Sequence, residues 1–486
     1  MKLVYFVAML GSILMSAWIT VNASVINPDA ICYVLSAEAI VTSGFSKAMQ
    51  LCPQAKWPLY SFFIYGFAQL THLSYVVSAY ILDGFYTLIS VVMFIAIIKE
   101  LGGTRRMLWL AVLVILCAHQ FNSVRQYIVR DHGFWAFYLI SIWFLLRYFR
   151  EQKVTAALCW SASLLMATLF RIEGLIFLLL LPFLSWCCTQ LSLRQRAIRF
   201  LVLNAPVLVI GSLLIALSGK LGRVYEVIVQ VQYGFVVLVN RFEVMKLALN
   251  TYALPPEAVR DTGLVLTLLL VVWYFVSVIN NLSWIYTALV GYAWSTRVAN
   301  FTRTALLVLG GYLIINFCIT SLFFGENLYL AKRYLIALSL VLMLWVPFAL
   351  DRLWSQGGRY RIAFLLAIIL MLGSTAGVFM KMEDPKVYIY ASGQWITHNV
   401  PVTATLYANS QQLRFYSNHY QSRDVFKNME IDSVEQGKWK QYDYAAFVID
   451  STDAKLLAVI QEIPYAPIQT FVSARGDRVV IYKIQH

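Results

Sequence analysis

Carboxylates and cations of this chain occur together near the ends of apolar segments, in four separated stretches. The residues whose types could do chemistry are Asp29, Glu38, Lys56 and Tyr60; Arg125, Arg130, Asp131 and His132; Arg171 and Glu173; and Lys332 and Arg333. Cations bind phosphate oxygens, and a carboxylate can take a proton from an attacking hydroxyl. If the four stretches meet at one membrane face, they fit a site for a phosphorylated, lipid-linked substrate.

Asp29 has a structural interpretation beside a catalytic one. In Asn27-Pro28-Asp29, Asn27 can cap a helix, Pro28 can be its first residue, and Asp29 can interact favourably with the helix dipole. Glu38 follows nine residues later, so on a helix it faces away from Asp29 and does not form a carboxylate pair with it. A divalent metal at Asp29 is compatible with the sequence, but no pattern of ligands indicates one.

The other charged residues can also have purely structural roles. Arg130-Asp131 and Arg171-Ile172-Glu173 can form local ion pairs at helix ends, which contribute about 0–1 kcal/mol at a surface. Lys332 and Arg333 can extend toward the membrane interface. Asp83 lies inside an apolar segment, where a carboxylate is costly, so a partner within the bundle is expected.

The composition places most of the chain in lipid. Of its 486 residues, 60% are hydrophobic and 13% are charged, against about 25% charged residues in a typical soluble domain. The net charge of +14 does not indicate nucleic-acid binding, because the basic residues cluster in short gaps between apolar segments. That distribution is typical of cytoplasmic loops.

Eleven apolar segments are predicted to span the membrane: Leu3–Val21, Tyr75–Ile98, Met107–Phe121, Gly133–Leu146, Val154–Phe170, Leu175–Cys188, Phe200–Ser218, Leu264–Asn280, Ala305–Phe324, Leu335–Leu350 and Ile362–Met380. The basic gaps orient them with the N-terminus in the cytoplasm. The shorter run Trp57–Leu70 is then an interfacial helix, within external juxtamembrane helices over about residues 27–72. Lys220–Thr262 is a long external stretch, and Leu282–Trp294 lies along the inner surface.

The chain divides into a membrane domain, 1–380, and a small external α/β domain, 381–486. Strands are predicted at Thr403–Tyr407, Tyr444–Ile449, Gln469–Ser473 and Arg478–Lys483, and helices at Gly393–Asn399, Gln411–Tyr416 and Thr452–Glu462. Cys32 and Cys52 both lie in the first external loop, where an oxidising exterior would permit a disulfide. Their spacing leaves that bridge open.

These features resemble the GT-C superfamily of integral membrane glycosyltransferases, in particular its aminoarabinose transferase and protein mannosyltransferase branch. The resemblance rests on five short motifs and their order: Pro28-Asp29-Ala30-Ile31-Cys32-Tyr33, Trp57-Pro58-Leu59-Tyr60, Arg130-Asp131, Phe170-Arg171-Ile172-Glu173-Gly174 and Lys332-Arg333-Tyr334-Leu335. Two departures are the lack of a paired acidic motif in the first loop and Asp83 where the family often has arginine.

The resemblance implies transfer of a sugar from a polyprenyl phosphate to an acceptor at the outer face of the bacterial inner membrane, with inversion. Asp29 would be the general base, and Asp131 would orient a substrate. Arg171, Lys332 and Arg333 would bind the departing phosphate. The acceptor, whether lipid, protein or polysaccharide, is left open.

Three other functions remain open from the sequence. A polysaccharide polymerase or ligase with lipid-diphosphate donors would also need external arginines and a histidine. A transporter or flippase would predict inverted repeats and polar midplane helices, and no repeat is evident. A non-catalytic membrane scaffold would retain its function without Asp29.

Overall fold

A computed structural model describes residues 1–23, 25–51, 59–218, 222–253, 255–380, 386–419, 434 and 436–484. These residues form two compact units. One, here called the bundle unit, comprises Met1–Ile13, Tyr86–Val124 and Asp131–Gly377. The other, here called the mixed unit, comprises Leu14–Phe85, Arg125–Arg130 and Val378–His486, so it joins the segment between the helices Lys2–Val21 and Tyr75–Glu100 to the C-terminal sheet.

Helices make up nearly all of the described chain before residue 381. They are α1 Lys2–Val21, α2 Pro28–Ser43, α3 Phe45–Leu51, α4 Leu59–Thr71, α5 Tyr75–Glu100, α6 Arg105–Leu116, α7 His119–Ser123, α8 Asp131–Glu151, α9 Val154–Phe170, α10 Glu173–Leu180, α11 Leu193–Ser218, α12 Gly222–Tyr252, α13 Thr262–Leu282, α14 Trp284–Ser295, α15 Arg303–Asn327, α16 Ile336–Leu342, α17 Val346–Gln356 and α18 Gly358–Met380. Short 3-10 turns connect several of them, including Leu181–Cys187 after α10 and Lys332–Leu335 before α16.

Six helical segments within the described residues are long and apolar enough to cross a membrane, and a seventh span results if the bent pair Arg105–Leu116 and His119–Gln126 is counted as one. The six are Lys2–Val21, Tyr75–Glu100, Val259–Leu282, Arg303–Asn327, Lys332–Gln356 and Gly358–Phe379. The shorter apolar helices Val154–Phe170 and Glu173–Cys187 coincide with two further predicted spans. The protein is a multi-pass membrane protein, and the total of eleven spans stays a prediction.

Local sequence signals begin and end these helices. Thr302 caps α15, since its hydroxyl accepts a hydrogen bond from the Ala305 amide at 3.2 Å. Both segments that are predicted to lie at the membrane surface contain helices, α4 and α14, and their place at the surface stays a prediction. The stretch after α11, which is expected to be external, is mostly occupied by helix α12, and its side of the membrane stays a prediction. Its valine-rich sequence has modest helix propensity, and packing against α13 and α15 overrides that preference.

The C-terminal part is a small α/β domain, as predicted. Its helices are α19 Val387–Asn399, α20 Gln411–Ser417 and α21 Ala454–Gln461, and its strands are β1 Leu406–Ala408, β2 Tyr444–Ile449, β3 Gln469–Val472 and β4 Arg478–Lys483. The sheet order is β1-β2-β4-β3, with β1 and β2 parallel and the other pairs antiparallel.

Alternation along the strands supplies a core on each face of this sheet. Phe447 and Tyr482 face the side covered by α21, and Ala446 and Ile481 face the side covered by α19. A sheet buried on both faces explains why the strands are almost continuously apolar.

Candidate active site

A buried arginine lies at the break between α9 and α10 of the bundle unit. Arg171 follows the last residue of α9 in an extended conformation, and Glu173 begins α10. One terminal nitrogen of Arg171 donates to Asp131 and the other donates to Glu173. The side chain of Arg171 is 11% exposed, and those of Asp131 and Glu173 are 5% and 24% exposed. The guanidinium therefore joins the start of α8 to the α9–α10 turn.

Two glycines allow this approach. A Cβ on Gly133 would lie 2.3 Å from the ring of Phe170, the residue before Arg171. A Cβ on Gly174 would lie 2.6 Å from the backbone nitrogen of Thr168. Both positions have backbone or ring atoms where any other residue would have a side chain. Gly133 thus lets α8 contact Phe170, and Gly174 lets the chain turn tightly from α9 into α10.

The charges and rings around Arg171 keep it ionised and fixed in orientation. Burial lowers the pKa of Arg171, but the carboxylates of Asp131 and Glu173 outweigh that effect, so its pKa is raised above the ordinary value. The guanidinium carbon lies 4.6 Å from the ring centroid of Tyr334 and 5.9 Å from that of Phe134. Both distances permit cation–π attraction.

A narrow cleft with aromatic walls opens beside this cluster. Its lining residues are Asp131, Phe134, Trp135, Arg171, Glu173, Phe177, Asn316, Ile319, Thr320, Phe323, Arg333, Tyr334 and Ala337. Arg333 comes from the 3-10 turn before α16, and its guanidinium carbon lies 5.4 Å from the ring centroid of Tyr334. Four predicted site residues, Asp131, Arg171, Glu173 and Arg333, therefore line one cleft. Two guanidiniums at such a cleft can bind a phosphate group.

Two further predicted residues of the bundle unit lie outside the cleft lining. His132 is buried, with Nδ1 3.0 Å from the Thr87 hydroxyl and its ring edge-on to Trp135. The side chain of Lys332 is exposed, while its backbone carbonyl accepts a hydrogen bond from Asn281 at 2.6 Å. His132 therefore packs inside the bundle unit, and the Lys332 side chain lies at its surface.

The first loop belongs to the mixed unit. Asn27 precedes α2, but its side chain does not cap the helix; it exchanges hydrogen bonds with the backbone of Ile128 at 2.9 and 3.3 Å. Pro28 is the first helical residue and Asp29 lies in the first turn, half-buried, as the sequence predicts. Glu38 is exposed, on the same helix. The expected cap by Asn27 is wrong because its amide binds a second segment instead.

Asp83 has buried hydrogen-bond partners, as its position predicts, and they lie in the mixed unit. One carboxylate oxygen accepts hydrogen bonds from the Tyr60 hydroxyl at 2.8 Å and from the Val129 amide at 3.2 Å. Tyr60, predicted as a substrate contact, is buried and also packs edge-on against Tyr33. This arrangement ties α4 and α5 to the segment before α8.

The remaining predicted residues are distributed as follows. Arg125 is buried and donates to the Ser16 hydroxyl at 2.6 Å, and Arg130 is partly exposed. Cys32 is disulfide-bonded. Cys52 and Lys56 lie outside the described residues, so the Cys32–Cys52 bridge and a role for Lys56 stay predictions. Within the described chain, no group of three or more His, Cys, Asp or Glu side chains could hold a metal ion.

Some cleft residues were missed by the sequence analysis. Phe134 and Trp135 lie three and four residues after Asp131, so helical spacing puts them on its face of α8. Asn316 and Thr320 are polar residues four apart within the apolar α15. Their spacing was a usable signal, since polar side chains inside a span usually face the bundle interior.

No protein-family model matches this chain, and no curated protein matches its sequence. Solved structures do match. ArnT from Cupriavidus metallidurans in the apo state has 13% identity and a TM-score of 0.53 over 97% of both chains. The same protein bound to undecaprenyl phosphate has 14% identity and a TM-score of 0.53, over 99% of this chain and 97% of that one.

A second solved protein has the same fold. The oligosaccharyltransferase of Archaeoglobus fulgidus, tethered with an acceptor peptide, has 10% identity and a TM-score of 0.52, over 98% of this chain and 74% of that one. At these identities the likeness concerns the fold. The chain has the fold of the GT-C glycosyltransferases, and the resemblance found from its motifs is confirmed at that level.

Proposed function

We propose, from the GT-C fold and the cleft at Arg171, that this protein transfers one sugar from a polyprenyl-phosphate donor to an acceptor, with inversion at the anomeric carbon. The observation that carries the proposal is the buried Arg171, held between Asp131 and Glu173 in a cleft that Arg333 also lines. The ArnT structure of this fold with undecaprenyl phosphate bound supports a lipid-linked donor.

The cations suit the leaving group. When the acceptor oxygen attacks the anomeric carbon, the bond from that carbon to the phosphate oxygen breaks, and negative charge grows on the phosphate. Arg171 and Arg333 would bind and stabilise that charge. Two carboxylates orient Arg171 before the substrate arrives, so little reorganisation is needed during the reaction. Asp131 and Glu173 thus act as positioning residues for Arg171.

The proton of the acceptor hydroxyl needs a base, and we propose Asp29 for this role. Asp29 is half-buried, close in sequence to Ile26. The Ile26 amide donates to the Tyr416 hydroxyl at 2.8 Å, and the Ile26 carbonyl accepts from Gln412 at 2.7 Å. Contact of this loop with the C-terminal domain supports a part for that domain in acceptor binding. The acceptor itself, lipid, protein or polysaccharide, is not specified by these contacts.

The same proposal includes location. We propose a bacterial inner membrane, with the N-terminus cytoplasmic and the C-terminal domain periplasmic. The clustering of basic residues in alternate loops supports this orientation. Labelling single cysteines introduced at exposed Val402 and exposed Lys153, in intact cells and in open vesicles, tests it. The Val402→Cys variant should react with an impermeant reagent in intact cells, and the Lys153→Cys variant should react only in open vesicles.

The activity test is release of polyprenyl phosphate by purified protein in lipid. The donors are undecaprenyl phosphates carrying different hexoses and pentoses, with crude envelope material as acceptor. Wild type, Asp29→Asn and Arg171→Lys are compared with Asp453→Asn, a matched change of an aspartate at a helix start in the C-terminal domain. We expect release by wild type and Asp453→Asn, and loss of about 100-fold or more in the other two variants.

Each alternative result has a distinct meaning. Equal release by wild type and Asp29→Asn would mean that Asp29 only stabilises the first turn of α2 and is not the base. The proposed enzyme class would not change. Absence of release with every donor would contradict the proposed function.

A further inference from the structure

The cleft at Arg171 is lined by residues of α8 and α15 as well as by the charged cluster, and its part at Asn316 is here called the lower cleft. Asn316 lines it and contacts Tyr138, seven residues after Asp131 on α8. Seven residues of helix correspond to about 10 Å, so the residue that Asn316 contacts lies two helical turns along α8 from Asp131 at the charged rim. Aromatic rings form much of the wall between, among them Phe134, Trp135 and Phe177. The lower part therefore combines ring faces with one buried amide.

The orientation of the Asn316 amide is fixed by its partners. Its nitrogen donates to the Tyr312 backbone carbonyl at 2.8 Å and to the Tyr138 hydroxyl at 2.5 Å. A carbonyl can only accept, so the amide nitrogen and not the oxygen must face Tyr312. Both N–H groups are then used, and no described residue donates to Oδ1. Asn316 thus offers an acceptor, and no donor, to the cleft that it lines.

A hydrogen-bonded network behind Asn316 holds this arrangement. The Tyr312 hydroxyl lies 3.2 Å from the Trp160 indole nitrogen, which donates to it, and 2.8 Å from the Ser141 hydroxyl. These contacts join α15 to α8 and α9 in a fully buried region. A polar network whose members are satisfied by one another resists rearrangement. Asn316 is 4% exposed and belongs to this network, so its amide oxygen has a fixed position in the cleft wall.

The neighbouring Thr320 does not offer the same chemistry. Its hydroxyl donates to the backbone carbonyl of Asn316 at 2.7 Å and lies 2.6 Å from the Tyr274 hydroxyl, which must then be the donor. The bundle thus already engages Thr320. A buried acceptor favours a ligand that carries a hydroxyl or N–H donor. An ionised phosphate and a hydrocarbon chain have no such donor, whereas a sugar has several hydroxyls and apolar faces that can pack on rings.

We propose that Asn316 is a specificity-determining residue whose amide oxygen accepts a hydrogen bond from one hydroxyl of the transferred sugar. The inference rests on the proposed function and deepens it, since it assigns the lower cleft to the sugar and the rim to the phosphate. A site built to bind a hydroxyl discriminates against an analogue that lacks it, because the acceptor is then left buried and unpaired.

The test uses monodeoxy donors. Wild type and Asn316→Leu are assayed for release from the best undecaprenyl-phosphate sugar and from its analogues, each lacking one hydroxyl. Wild type should use one analogue about tenfold less well than the parent sugar through the loss of this contact. Asn316→Leu should lose discrimination at that hydroxyl and keep it at the others. Asn316→Ala is the second variant, in case the larger leucine disturbs the packing.

Asn204→Leu is the matched control. Asn204 is half-buried and, like the buried Asn316, donates to the backbone carbonyl four residues earlier at 2.8 Å, but it does not line the cleft. It should keep the wild-type discrimination. Equal loss of release from all donors in both Asn316 variants, or unchanged discrimination in them, would overturn the inference while leaving the proposed function intact. No release by wild type from any donor would overturn both.

Discussion

Two buried carboxylates, one in each unit, have different partners and different roles. Asp131 in the bundle unit is paired with Arg171, 40 residues later, at the rim of a cleft. Asp83 in the mixed unit accepts from Tyr60 and from the Val129 amide. Both aspartates are nearly inaccessible to solvent, at 3% and 2% exposed. What separates them is the nature of the partner and whether the partner reaches a cavity.

The partner of a buried charge indicates its role in a helical membrane protein. A buried carboxylate can accept hydrogen bonds from neutral donors and so join separate segments. Asp83 does this with the Tyr60 hydroxyl and the Val129 amide. A cation partner brings its own charge, and at a cleft wall that charge is available to a ligand. Burial of an aspartate alone is therefore weak evidence for a site, and a carboxylate–arginine pair beside a cavity is stronger evidence.

The largest expected effect comes from removing the cation. Arg171→Met leaves Asp131 and Glu173 together without their common partner, so we expect a loss of about 3–5 kcal/mol of stability and no detectable sugar transfer. Chemical denaturation in mixed micelles and the release assay measure the two effects. Arg147→Met is the control, because its ion pair with Glu151 is more exposed and contributes about 0–1 kcal/mol. Equal losses in the two variants would break the comparison.

The same aspartate-to-asparagine substitution in each unit tests the difference between Asp131 and Asp83 directly. Asp131→Asn removes the charge that orients Arg171, and we expect release of polyprenyl phosphate to fall about 100-fold. Asp83→Asn leaves an amide oxygen for Tyr60 and Val129, so stability should change by about 1 kcal/mol and activity per folded molecule should not change. Steady-state release normalised to folded protein distinguishes them. A large loss of activity in Asp83→Asn would place the mixed-unit carboxylate in the chemistry after all.

A smaller effect is expected from the glycine that positions the turn. Gly133→Ala would press against Phe170 and displace the neighbouring Arg171, with a cost of about 1–3 kcal/mol and about a tenfold loss of activity. Gly310→Ala on α15 meets no atom within 4 Å and should instead stabilise by about 0.5–1 kcal/mol. Both are measured by denaturation and by release. A neutral Gly133→Ala would show that Arg171 does not need this close approach.

The smallest effect is expected in the mixed unit. Tyr416→Phe removes the acceptor of the Ile26 amide, so we expect a loss of about 1 kcal/mol and faster hydrogen exchange at Ile26. Tyr390→Phe is the control, since Tyr390 packs edge-on against Tyr416 from an exposed position. Unchanged exchange at Ile26 in Tyr416→Phe would mean that this contact does not hold the first loop.

Local patterns predicted the elements well. Strands β2 and β4 occupy the predicted ranges, because their runs of β-branched and aromatic residues are short and bounded by turn residues. Pro28 begins α2 for an equally local reason, since a proline at the first helical position loses no hydrogen bond. Helix α12 was not predicted, because its valine-rich sequence gives little local preference for a helix.

The candidate site was only half predictable. The residue types and the common order of Asp131, Arg171, Glu173 and Arg333 came from motifs in the sequence. Their pairing did not. The sequence favoured Arg130 as the partner of Asp131, whereas the structure pairs Asp131 with Arg171. Nothing in the spacing of two residues 40 apart reports that contact.

The sequence by itself determined that the chain is a multi-pass membrane protein with an α/β tail, because hydropathy, period and turn chemistry act over a few residues at a time. Three contacts follow from the three-dimensional packing alone: Arg171 faces Asp131, the Tyr60 hydroxyl donates to Asp83, and the amide oxygen of Asn316 points away from the Tyr312 carbonyl. Those contacts depend on how helices far apart in the chain pack, and packing is set by the fit of whole surfaces rather than by any local run of residues.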